Sequence, residues 1–198
     1  MNQPLSKNYF ENPDVVALAK DLIGKELSTT IDGVLTSGII TETEAYAGQG
    51  DKACHAHLGR FTKRTQVMYE SGGIAYVYLC YGIHHLFNIV TNTSGNADAI
   101  LIRAIEPIQG LQKMLERRNK KKLEKSLTSG PGNVTKALGI TKSHNAKSVL
   151  GQDIRIDNPG VKVESIVETT RIGIDYAEED ASLPWRFYKQ DSKYISVK

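Results

Sequence analysis

Val15, Val16, Leu18, Ala19, Leu22 and Ile23 share one helical face, with Asn12-Pro13 before them as a start and Gly24 after them as a stop. Next come two β-patterned runs, Glu26 to Ile31 and Val34 to Tyr46, joined across Asp32-Gly33, a type I′ hairpin signal. A short helical turn is expected within Arg64 to Ser71, ended by Gly72-Gly73. A second hairpin runs from Ile74 to Tyr81, turns at Gly82-Ile83 and returns from His84 to Thr91. Ala99 to Ile105 reads as an apolar strand ended by Pro107, and Leu111, Met114 and Leu115 mark a helix. Ser129-Gly130-Pro131-Gly132-Asn133 precedes a short helix, Val134 to Leu138. Asp153–Ile156, Lys162–Thr169, Arg171–Ile174 and Trp185–Lys189 predict a β-rich C-terminal part. With no repeat, low-complexity tract or linker, the pattern predicts one α+β domain, residues 1–198, on a mostly antiparallel sheet.

Composition keeps this picture and narrows it. The 198 residues are 40% hydrophobic and 24% charged, as in a globular protein that buries roughly 70% of its unfolded surface. Net charge is +3 and unevenly spread. Lys52, Arg60, Lys63 and Arg64 fall in a stretch without acids, and the run from Leu111 to Lys125 is also basic. Such asymmetry suits a polyanionic partner, although the second run reads equally well as a solvated helix face. Two cysteines, Cys54 and Cys80, without a CxxC, argue against a disulfide framework. Met1 to Phe10 lacks the apolar core of a signal peptide, and the uncharged stretch from Ile74 to Val90 contains Gly82, His84, His85 and Asn88 and is short for a membrane span. A cytoplasmic protein, or one on the nucleoid, is the expectation.

Glu42, Glu44 and Tyr46 alternate along the second strand and so share a face. Buried carboxylates are costly unless paired or at work. With Cβ atoms about 6.5–7 Å apart on such a strand, two glutamates could hydrolyse a glycosidic bond; an exposed edge-strand pair is the plainer alternative. Cys54, His55, His57, Cys80, His84 and His85 are metal-ligand types, but their spacing fits no zinc pattern, and neither metal nor cofactor is expected. Tyr81 sits at a hairpin tip, placed either to fold back on its own hairpin or to probe a partner. Small residues before Val134 could hold a phosphate on free helix N–H groups or simply cap the turn. Aromatics that stack on bases, basic flanks for phosphates and a tip aromatic that wedges into a duplex combine into a base-extruding site.

The ordered set Glu42-Thr43-Glu44-Ala45-Tyr46, His55, Tyr76-Val77-Tyr78-x-x-Tyr81-Gly82, Asn88 and Leu101-Ile102-Arg103-Ala104 resembles the alkyladenine (3-methyladenine) DNA glycosylases. The resemblance continues through Ser129-Gly130-Pro131, Arg171-Ile172-Gly173-Ile174 and Arg186-Phe187-Tyr188, and has the look of the short, bacterial-type form. It implies a curved antiparallel sheet with flanking helices and a protruding hairpin. It implies a monomeric, monofunctional glycosylase acting on damaged purines in double-stranded DNA. Glu44 would be the general base and Arg103 its partner at the attacking water and neighbouring phosphate. Tyr46 and His55 would sandwich the base, Tyr78 complete the pocket, and Asn88 crowd the 2-amino group of guanine. Tyr81 would fill the gap left by the extruded nucleotide, and Arg60, Arg64 and Lys136 would meet the DNA backbone. Glu42 receives no role. A non-catalytic damaged-DNA-binding module is the competing expectation, and a buried Glu44 would argue against it.

Overall fold

A computed structural model describes residues 3–197; Met1, Asn2 and Lys198, and with them the very ends of the expected domain, lie outside the described residues. The strands are β1 (Gln3–Pro4), β2 (Glu26–Ile31), β3 (Val34–Tyr46), β4 (Ile74–Cys80), β5 (His84–Thr91), β6 (Asp98–Gln109), β7 (Ile154–Asn158), β8 (Ile166–Thr169) and β9 (Arg186–Lys189). The α-helices are α1 (Lys7–Phe10), α2 (Val15–Asp21), α3 (Leu111–Arg118) and α4 (Pro131–Leu138). The strands form one curled sheet in the order β1-β7-β2-β3-β6-β5-β4, with β9 added to β3 and β8 to β9. Its pairs are antiparallel, and the expected α+β class holds.

β3 is the axis of the sheet. Its first half pairs with β2, its second half with β9, and β6 runs along its other edge. Glu42 and Glu44 therefore lie in the middle of the sheet with no exposed surface, and the edge-strand reading fails. Thr43 on the opposite face donates to the Ala19 carbonyl of α2 at 2.8 Å. That face carries the main core, in which Leu22, Ile40, Phe87, Ile102 and Phe187 are fully or almost fully buried.

The first hairpin turn forms where expected, whereas the second begins one residue early, because β4 stops at Cys80 and Tyr81 enters the turn. Asp32 and Gly33 take φ of 55° and 74°, as a type I′ turn requires. Helix α2 is capped by Asp14, whose carboxylate accepts from the Ala17 N–H; Asn12 instead caps the backbone of Asp14, so the start falls later than the Asn-Pro pair suggested. Pro107 does not end β6, because a register shift near Gly38 accommodates a residue without an N–H. Only Ile166–Thr169 of the expected 162–169 strand is extended in the sheet, and 171–174 forms none. The reason for the second lies in the site, since the Ile172 N–H is used by a side chain. The basic run after Leu111 is largely committed internally: Arg117 donates to Thr36 and the Ala137 carbonyl, Arg118 to the Ser126 and Leu127 carbonyls, and Lys113 and Lys120 pair with Glu116 and Glu124. This favours the helix-face reading of that run.

Candidate active site

β3 and β6 carry compensating irregularities where the chemistry lies. Ile40 faces Ile105, Glu42 faces Ala104 and Thr43 faces Ile102, which leaves Thr41 and Arg103 outside the regular pairing. Bulges re-aim side chains. Here the result sets Arg103 between the two glutamates, with Nη1 on Glu44 at 3.1 Å and Nε on Glu42 at 3.2 Å. Burial works against the Arg103 charge, but Glu44 and Glu42 more than offset it and hold its pKa above the usual value.

The two carboxylates have separate partners beyond this shared arginine. Glu44 accepts from the Tyr46 hydroxyl at 2.9 Å and from the Ile172 N–H at 2.8 Å. Burial first, then the charge of Glu44, keeps the Tyr46 phenol protonated well above its ordinary pKa, so it remains a donor. Glu42 accepts from Arg186 at 2.8 Å, from the Ser196 hydroxyl at 2.7 Å and from the Ser196 N–H. Tyr46, Arg103 and Ile172, the three donors of Glu44, all line the main cavity, about 650 Å³ in volume; Glu44 lies directly behind them. Glu42 is locked into the sheet floor by the C-terminal segment. A pair of equivalent carboxylates flanking one substrate bond is not what this arrangement offers.

The cavity walls are aromatic. Tyr46 lines one side, and the Arg171 guanidinium stacks behind it, 5.0 Å from its ring centre and 5.1 Å from that of Trp185. Arg171 is itself fixed by Asp51, at 2.9 Å between Nη2 and Oδ1, and by the Ala45 carbonyl. His55 and Tyr78 line the cavity with ring centres 4.8 Å apart, and His55 Nδ1 lies 2.9 Å from the Tyr76 hydroxyl. Asn88 is buried and also lines it, its amide held on the Tyr76 carbonyl at 3.1 Å. Thus Tyr46, His55, Tyr78, Asn88 and Arg103 meet in one space, with Glu44 behind it.

Tyr81 stands at the hairpin tip with φ of 50°, 90% exposed, at the rim of the same cavity. It does not fold back on its own hairpin. A bulky residue in the left-handed region costs about 1–3 kcal/mol, which the tight Tyr81-Gly82 turn imposes. The hairpin leans on the start of α4, where a Cβ on Gly132 would come within 3.0 Å of the His84 ring. Gly130 to Asn133 thus serve as a seat for the hairpin and as cavity wall. Arg60 is exposed, and Lys136 lines a neighbouring cleft with His84, His85 and Arg117. Arg64, expected on the DNA backbone, is exposed and contacts His55 and Tyr78 at the cavity.

Cys54 is buried, its thiol pushed up to about 12 by burial, and among the described residues no group of three His, Cys, Asp or Glu is arranged for a metal ion. No helix among the described residues is long and apolar enough to cross a membrane. No lysine lines the main cavity among the described residues.

Residues 8–193 match the profile of the family described as Methylpurine-DNA glycosylase (MPG), and the chain belongs to that family. It is accordingly a hydrolase of N-glycosidic bonds that binds DNA and works in DNA repair, and the non-catalytic alternative falls. A relative from Chlamydia felis is 50% identical over 184 residues, covering 92% of this chain and 94% of its own. One from Desulfitobacterium hafniense is 45% identical over 196 residues, covering 96% and 97%. Both carry 3-methyladenine DNA glycosylase as a provisional name.

The site contains groups to which the sequence reading gave no role. Arg186, Ser196, Arg171 and the Ile172 N–H hold the carboxylates and Tyr46 in place. A usable signal existed, since two carboxylates in a β-rich run demand cations, and Arg171 and Arg186 interrupt otherwise apolar or extended segments.

Proposed function

We propose that this chain is a monofunctional glycosylase that extrudes damaged purines from double-stranded DNA and hydrolyses their N-glycosidic bond with water. Its substrates would include 3-methyladenine and 7-methylguanine, with hypoxanthine and ethenoadenine as neutral counterparts. The observation that carries the reading is Glu44, buried behind an aromatic cavity and tied to it through Tyr46, Arg103 and Ile172. A carboxylate so placed serves a nucleophile delivered inside the cavity.

In this reading the flipped base stacks between Tyr46 and His55, a contact worth roughly 1–3 kcal/mol per base. Tyr78 closes the pocket and Asn88 crowds a guanine 2-amino group. The water joins the donors at Glu44 Oε2 beside Arg103, the Tyr46 hydroxyl yielding room. Its oxygen attacks C1′, Glu44 takes its proton, and the bond pair between C1′ and the purine nitrogen leaves with the base. An N3- or N7-alkylated purine then departs neutral. Without a lysine amine at the cavity there is no Schiff base, and the strand stays uncut. Arg60 and Lys136 meet phosphates. The protein acts as a monomer in the cytoplasm, on the nucleoid.

Incubation with methylated duplex DNA is expected to yield free 3-methyladenine and intact strands bearing abasic sites. No free base, or strand scission by the protein alone, overturns the reading. Tyr81→Ser is expected to weaken binding to a lesion-bearing duplex by roughly 1–3 kcal/mol, measured by fluorescence anisotropy. Unchanged affinity removes the wedge role of Tyr81.

A further inference from the structure

Arg64 is exposed, but its side chain is tied to the cavity wall. Its Nη2 lies 3.1 Å from His55 Nε2, and its guanidinium carbon lies 4.7 Å from the Tyr78 ring centre. Burial, followed by the charges of Arg64 and Arg60, brings the His55 pKa down to about 4, so the ring is neutral at neutral pH. Arginine only donates, so Nε2 must be the acceptor, and Nδ1–H then donates to the Tyr76 hydroxyl at 2.9 Å. Arg64, His55 and Tyr76 form a directed chain that fixes the guanidinium against the cavity wall. Arg103 and Arg171 each face buried carboxylates; Arg64, among the described residues, faces none. No carboxylate among the described residues neutralises its charge at the cavity mouth.

The geometry points to Arg64 as a specificity determinant for the leaving base, a fixed cation at the edge of the base position that favours neutral damaged purines carrying an acceptor over purines already cationic. This rests on the proposed reading that the base lies against His55 and Tyr78. When the bond from C1′ to a neutral purine breaks, the electron pair makes the departing base an anion. A guanidinium N–H aimed at one of its acceptors gains strength as that charge develops, which is the interaction that speeds a reaction. A cationic purine gains nothing from this donor, because it leaves neutral, and it meets like charge on entering. Arg64 thus supplies, by hydrogen bonding rather than proton transfer, part of the help that a neutral base needs.

The test compares Arg64→Leu and Arg64→Lys with the wild type on two duplexes of one sequence, one carrying hypoxanthine and the other 7-methylguanine. The ratio of kcat/KM, hypoxanthine over 7-methylguanine, is expected to fall by about tenfold or more in Arg64→Leu, the scale of a charged hydrogen bond. It should fall less in Arg64→Lys, which keeps the charge and loses the planar fork. Because the ratio is taken within one preparation, partial misfolding cancels. Equal losses on both duplexes would make Arg64 a phosphate contact and overturn the inference, since such contacts do not read the base. An unchanged or rising ratio overturns it as well, as does a wild type that releases 7-methylguanine alone. A wild type that releases neither base instead brings down the proposed reading of the site, and this inference with it.

Discussion

Glu44→Gln is expected to lower the rate of base release by about 10²–10⁴-fold, the usual contribution of a positioned general base. Glu44 has no exposed surface, and each of its donors, Tyr46, Arg103 and the Ile172 N–H, belongs to the cavity wall. Glutamine keeps the shape and can still accept from Ile172, but its amide opposes the Arg103 guanidinium. The variant should therefore lose some stability, about 1–3 kcal/mol for the misdirected buried donor. Single-turnover release at a temperature well below its thermal midpoint separates the two effects. Affinity for lesion-bearing duplex should persist. Release within a few-fold of the wild type would remove Glu44 from the chemistry.

Glu42→Gln should show the opposite balance. Glu42 is bound by Arg103, Arg186 and both polar groups of Ser196, with no exposed surface. Removing its charge leaves two buried arginines against Glu44 alone. Breaking a buried pair in this way costs about 3–5 kcal/mol. A large drop in the denaturant midpoint is expected, with base release in the surviving folded fraction far less affected than in Glu44→Gln. Equal loss of turnover in the two variants, at equal folded fraction, would restore the two carboxylates as a catalytic pair.

The contrast between these residues marks what the sequence made legible. Period-two alternation put Glu42, Glu44 and Tyr46 on one face, and turn chemistry located both hairpins and the projecting Tyr81. These are local signals. What separates the glutamates is not local: the partners of Glu42 lie 61, 144 and 154 positions away. No periodicity encodes such pairings. The bulge that re-aims Arg103 was hidden for the same reason, since register belongs to two strands together. Arg64 reads as a surface cation and is exposed, but its contacts with His55 and Tyr78, two walls of the cavity, belong to the folded site and leave no trace in a charge pattern. Pro107 misled in a simpler way, because a register shift removes the penalty that usually ends a strand.

The hold of Ser196 on Glu42 has a consequence for synthesis. As the chain emerges, β3 and β6 can pair long before Arg186 and Ser196 exist to satisfy Glu42. Until then the floor beneath the cavity carries an acid short of its donors, in a setting where such a group draws in water. The nascent protein can thus pair β3 with β6 early, but it gains β9 and a fixed reaction centre only once residues 186 to 196 are available. The reaction centre thus waits on a residue 154 positions after the acid it anchors.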